Sequence, residues 1–158
     1  MNFLTISNLY VDFPTDDGLV KAVNGVDLSI TESETVGLIG ESGCGKSVLG
    51  LSIMRLLQDE VIFKGDILYR GKNLCSIEKE AMRKLRGKEI GMILQNPGSS
   101  LNPRMTVGSQ IAESFMLHKQ VKGSLAIEMA EKLLGRVRIK EPSKRVKEYP
   151  LSPVNRVL

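Results

Sequence analysis

An α/β fold organised around a phosphate-binding loop is what this sequence predicts, and three observations carry it. The stretch from Thr35 to Ser47 reads as a short buried strand, a glycine-rich loop and the first turn of a helix. Within it Gly40, Glu41, Ser42, Gly43, Cys44, Gly45, Lys46 and Ser47 fit the spacing G-x-x-x-x-G-K-[ST]. Beyond it, residues 48–57 are apolar on nearly every side, as a core helix beneath such a loop would be.

The chemistry follows from the residue types. Glycines let successive backbone N–H groups turn inward around a polyphosphate without Cβ clashes. Lys46 places a point charge on the outer phosphates, and the Ser47 hydroxyl is spaced to hold Mg²⁺. The helix adds the positive end of its dipole.

The elements follow in order. Residues 3–13, rich in β-branched and aromatic types, predict a strand. Pro14, Thr15, Asp16, Asp17 and Gly18 predict a turn. Residues 20–30 alternate again, with Ala22, Val26, Leu28 and Ile30 on one face, so the two strands make an antiparallel hairpin. Residues 36–39 and 92–94 read as buried, parallel-type strands. Between them the sequence predicts a strand pair around residues 65–72, then a helix capped by Ser76. The loop from Asn96 to Pro103 holds two prolines and cannot be helical throughout. Val107, Ile111 and Phe115 mark one amphipathic helix, and Leu125, Met129, Leu133 and Val137 a second, capped by Ser124. Residues 1–95 are expected to form the β flap and loop core, and residues 96–158 a partial helical subdomain.

Composition narrows the class. With 42% hydrophobic and 25% charged residues in 158, the chain is an ordinary globular one, with one domain as the default. No apolar run reaches the ~20 residues that span a bilayer, and the N-terminus has no signal-peptide pattern. A cytoplasmic location is expected. Cys44 and Cys75 give neither a disulfide framework nor metal-ligand spacing. Residues 1–60 carry 3 Lys/Arg against 9 Asp/Glu, and residues 61–158 carry 19 against 9. The basic half has little aromatic interleaving, so a solvated helical face is expected and no nucleic-acid partner.

The ordered motifs resemble the ATP-binding subunit of ABC transporters, in the branch that imports oligopeptides, dipeptides or nickel. Ala22-Val23 through Leu28, the loop at residues 40–47, residues 92–97 and Ser100-Leu101-Asn102-Pro103 through Gly108 carry that resemblance. It implies an ABC-type nucleotide-binding domain of the P-loop NTPase class that binds ATP with Mg²⁺. It also implies permease subunits and a second ATP-binding subunit as partners, at the cytoplasmic face of the membrane. Gln95 would be the Q-loop glutamine, helping Ser47 hold the metal. Phe13 stands where the family places an aromatic that stacks on adenine; a ring that packs the hairpin is the alternative. Cys44 replaces the branch's usual serine, as a reactive thiol or as an inert small residue. Ser33 replaces the usual glycine before Glu34.

Departures qualify the activity. Tyr149-Pro150-Leu151-Ser152 could open the signature motif, but Pro153 and the residues to Leu158 do not continue it. No segment resembles Walker B, the D-loop or the switch histidine, and His118 does not match the last. No catalytic residue is therefore assigned. The chain is expected to be a truncated or frameshifted product that does not hydrolyse ATP alone. Two other readings stand beside this one: a small stand-alone kinase- or GTPase-like protein, and a non-enzymatic basic interaction module.

Overall fold

β1 (Asn2–Thr15) and β2 (Gly18–Thr31) form a long antiparallel hairpin closed at Asp16-Asp17, where the Thr15 hydroxyl donates to the Gly18 carbonyl at 2.8 Å. The computed structural model describes residues 2–95 and 97–150. These fall into two compact units divided between Met92 and Ile93.

In the first unit β1 is central. β2 lies along one edge of it, and β3 (Ile62–Tyr69) along the other, with the two-residue β4 (Lys72–Asn73) outside β3. Every strand pairing within this sheet is antiparallel. A bulge at Asn8, with φ 49° and its N–H held by Asp27 Oδ1 at 2.8 Å, shifts the side-chain phase of β1. Leu4 and Ile6 before it, and Leu9 and Val11 after it, therefore all enter the core. They meet Ile67, Leu74 and Met82, with Leu49 from α1 (Lys46–Ile53) behind the loop. A second bulge moves the face of β2: Val23 is the buried residue there, and Ala22, Val26, Leu28 and Ile30 are half-buried.

The expected strands at residues 36–39 and 92–94 are not formed. Neither segment pairs with a described strand, and Ile39 and Ile93 are 99% and 93% exposed. A parallel strand is held by ladder neighbours on both sides. The described sheet is wholly antiparallel and offers neither segment one.

The helix α2 (Lys79–Leu85) begins later than predicted, with Glu78 at its N-cap. Ser76 instead closes a turn, its hydroxyl donating to Asn73 O at 3.3 Å.

The second unit is helical: α3 (Val107–Lys119), α4 (Gly123–Arg136) and the single turn α5 (Pro142–Arg145). Thr106 caps α3, accepting from Ser109 N at 3.2 Å. Gln110 ties the preceding loop to the helix, accepting from Asn102 N at 2.8 Å and donating to Asn102 O and Met105 O. That clasp is the structural use of the Asn102 block.

On α4 the buried stripe is Ala126, Ala130 and Leu134, against Ala112 and Val146. It is one position removed from the expected one: Leu125 is 46% and Val137 61% exposed, and Ser124 makes no cap. Small residues let the two helices approach closely, and that gain outweighs burying the bulkier neighbours. Gly108 shows the same demand for closeness. Its N–H donates to Val146 O at 2.9 Å, and an added Cβ would overlap Val146.

Candidate phosphate-binding site

The loop at residues 40–45 ends in Gly45, the N-cap of α1, at φ 93°. A Cβ there would fall inside the Ala22 carbonyl oxygen, so only glycine lets the loop lie against β2. Gly43 also takes a positive φ, 84°. No side chain caps α1, so the N–H groups of its first turn have no side-chain acceptor at the N-cap. Such a turn is a ready anion site.

Lys46 opens α1 and folds back over the loop. Its Nζ donates to Gly40 O at 2.7 Å and Glu41 O at 2.6 Å, and lies 3.3 Å from Cys44 Sγ. The ammonium is therefore held against the glycine loop by the loop's own carbonyls. Ser47 is exposed in the same turn, and Glu41, Ser42 and Cys44 are exposed on the loop. A cleft of about 480 Å³ opens beside these residues, walled by Ala22, Val23 and Asn24 of β2 and by Leu38 and Leu49. The sequence marks Ala22-Val23 through Leu28 as part of the resemblance but assigns them no place in the site; their position on the cleft wall comes from the structure.

The turn that delivers the chain to the loop is held by Glu34. Its carboxylate accepts from the Thr31 N–H at 2.7 Å and from the Thr31 hydroxyl at 2.8 Å. The backbone bond, then the hydroxyl bond, hold this exposed carboxyl below the usual range. Ser33, between them, has φ 65°, the left-handed region that favours glycine.

Of the other predicted residues, Phe13 belongs to the first unit, and Gln95 and His118 to the second. Phe13 is half-buried at the end of β1, cross-strand from Val20 and packed on the hydrophobic core. It does not line the cleft. Gln95 is exposed and belongs to the second unit. His118 sits in the last turn of α3, a favourable place for a basic side chain. Asn96, Leu151, Ser152 and the residues after them lie outside the described residues.

Among the described residues no cluster of His, Cys, Asp or Glu could hold a metal by itself. Ser47 Oγ beside Lys46 still fits Mg²⁺, which is usually held by a few protein oxygens together with the substrate's phosphates.

A glycine loop entering a helix, a lysine folded over it and a serine one residue on define a protein of the phosphate-binding-loop class. The chain belongs to the ABC transporter family, which its sequence matches over residues 23–153. It is 44% identical over 148 residues to an ATP-binding protein of Brucella abortus (strain 2308) named for peptide import, covering 93% of this chain and 45% of the relative. It is 42% identical over 149 residues to the dipeptide transport ATP-binding protein DppD of Bacillus subtilis (strain 168), covering 93% of this chain and 44% of DppD. The chain thus spans less than half the length of these relatives. The structure superposes on a dimeric ABC transporter cassette, MJ0796, with a TM-score of 0.79 at 21% identity, covering 95% of this chain and 63% of that one. A post-hydrolysis form of the same cassette, bound to ADP and Pi, gives a TM-score of 0.79 at 20% identity. The fold is that of part of an ABC cassette.

Proposed function

We propose that this chain carries the phosphate-gripping part of an ATP-binding subunit that energises a peptide importer. The observation that carries the proposal is the Lys46 ammonium, held by Gly40 O and Glu41 O above a glycine loop at a helix N-terminus. The names of the relatives support peptides, dipeptides among them, as cargo.

In this reading the N–H groups of residues 42–47 wrap the β-phosphate, and Lys46 moves from its two carbonyls to the β- and γ-oxygens. Ser47 would hold Mg²⁺ together with the phosphates of the nucleotide. The cleft walled by Ala22 and Val23 receives the nucleoside. Phe13, packed on the hairpin core, supports that wall rather than stacking on the base. Permease subunits, and a second ATP-binding subunit like that of the dimeric cassette, are the partners, at the cytoplasmic face of the membrane. No helix among the described residues is long and apolar enough to cross one.

The test is calorimetric titration of Mg·ATP into the chain and into Lys46→Ala. Charge-assisted hydrogen bonds are worth about 1.5–3 kcal/mol each, so affinity should fall at least about tenfold. The circular dichroism should not change, because Lys46 is bonded only to its own loop. Undiminished binding by the variant would refute the assignment.

A further inference from the structure

A second cleft, of about 410 Å³, lies in the first unit; the P-loop takes no part in it. Leu57, Val61, Phe63 and Met82 give it apolar walls, and Arg55, Arg86 and Lys79 make it cationic. Asp59 is the one acidic residue on its lining.

The two arginines are built in. Arg55 Nη1 donates to Leu74 O at 3.2 Å and Ile77 O at 2.6 Å. Arg86 Nε and Nη2 donate to Met54 O and Arg55 O, both at 2.7 Å, at the exit of α1. Arg55 takes φ 48° to enter this arrangement. These bonds use carbonyls only. Among the described residues neither guanidinium is in an ion pair, and Arg55 Nη2 and Arg86 Nη1 make no hydrogen bond to the protein. Burial, and then the neighbouring Arg55, push the Arg86 guanidinium below its usual value. Two half-buried cations that line one cleft, with Asp59 on the lining but no carboxylate in ion-pair contact with either, are unfavourable alone and favourable around an anion.

We infer that this cleft binds a small organic anion, with its carboxylate or phosphate between Arg55, Arg86 and Lys79 and its apolar body against Phe63, Val61 and Met82. The free guanidinium edges supply planar donors suited to either anionic group. The volume lies in the range of small-molecule sites. The apolar walls select an anion that carries a hydrocarbon body over bare inorganic phosphate.

Cys75 lines this cleft and is half-buried, with its thiol pushed up by burial, so its alkylation reports access. Cys44 is exposed on the P-loop and reports that site in the same digest. The chain would be alkylated with iodoacetamide in the presence of benzoate, phenyl phosphate or neutral benzyl alcohol, and each cysteine followed by peptide mass spectrometry. At twice Kd, benzoate and phenyl phosphate should slow Cys75 about threefold. Benzyl alcohol should not, and benzoate should leave Cys44 unchanged. Lys79→Gln, on an exposed rim residue, should weaken the protection. Arg55→Gln, checked for folding by circular dichroism, should remove it. Four results would overturn the inference: no protection up to about 10 mM, equal protection by benzyl alcohol, protection that survives both substitutions, and protection by anionic phospholipid vesicles alone.

Discussion

Two isoleucines that look alike in the sequence should respond oppositely to truncation. Ile39 closes an apolar run and reads as core; Ile67 sits in a strand beside a glycine and charged residues. In the structure Ile67 is 0% exposed and opposite Ile6, whereas Ile39 is 99% exposed. Ile67→Ala removes three buried carbons from the centre of the β1–β3 pair. It should cost about 2–5 kcal/mol, the transfer term plus a residual cavity. Ile39→Ala removes no burial and should stay within about 0.5 kcal/mol. For a unit of this size each kcal/mol moves Tm by roughly 4–8 °C. The Ile67 variant should therefore melt on the order of 10 °C or more below the parent, and the Ile39 variant within about 4 °C of it. Urea titration followed by circular dichroism, with the m-value checked for constancy, measures both. If Ile39→Ala cost more than about 1 kcal/mol, residues 36–39 would be packed, and the absence of a core strand there would be refuted.

Ser33→Gly should stabilise the chain by up to about 1 kcal/mol, since φ 65° strains serine and not glycine; urea midpoints of the two chains decide it. Gly108→Ala should destabilise the helical unit by about 1–3 kcal/mol through overlap with Val146, seen as a lower melting point of its helical signal. Glu34 has its carboxyl held below the ordinary value of about 4.5, so its contribution is present above that pH and is lost as pH falls through the folded value. Glu34→Gln should thus lower the urea midpoint at neutral pH, and the difference should shrink progressively as the pH is lowered below about 4.5. The 158-residue chain alone should bind Mg·ATP without turnover, because its sequence holds no apolar strand ending in Asp-Glu to position metal and water. Steady phosphate release that is lost in Lys46→Ala would contradict this.

The sequence by itself determined what depends on local spacing. The run from Gly40 to Ser47 specifies a phosphate loop because glycine, lysine and serine must stand at fixed offsets whatever surrounds them. The hairpin from Asn2 to Thr31 was legible because period-2 alternation and the turn at Asp16-Asp17 act within a few residues. Tertiary structure decided what depends on neighbours distant in the chain. Apolar composition does not make residues 36–39 a strand when no ladder partner lies beside them. On α4 the close approach of α3 chose Ala126 and Ala130 over the bulkier Leu125 and Met129 for the interface. The Asn8 bulge reset which face of β1 is inside. Arg55 and Arg86 are 31 residues apart, and the exit of α1 brings them together. A long-range hydrogen bond of that kind leaves no periodic trace in sequence, because its geometry exists only once the chain has packed.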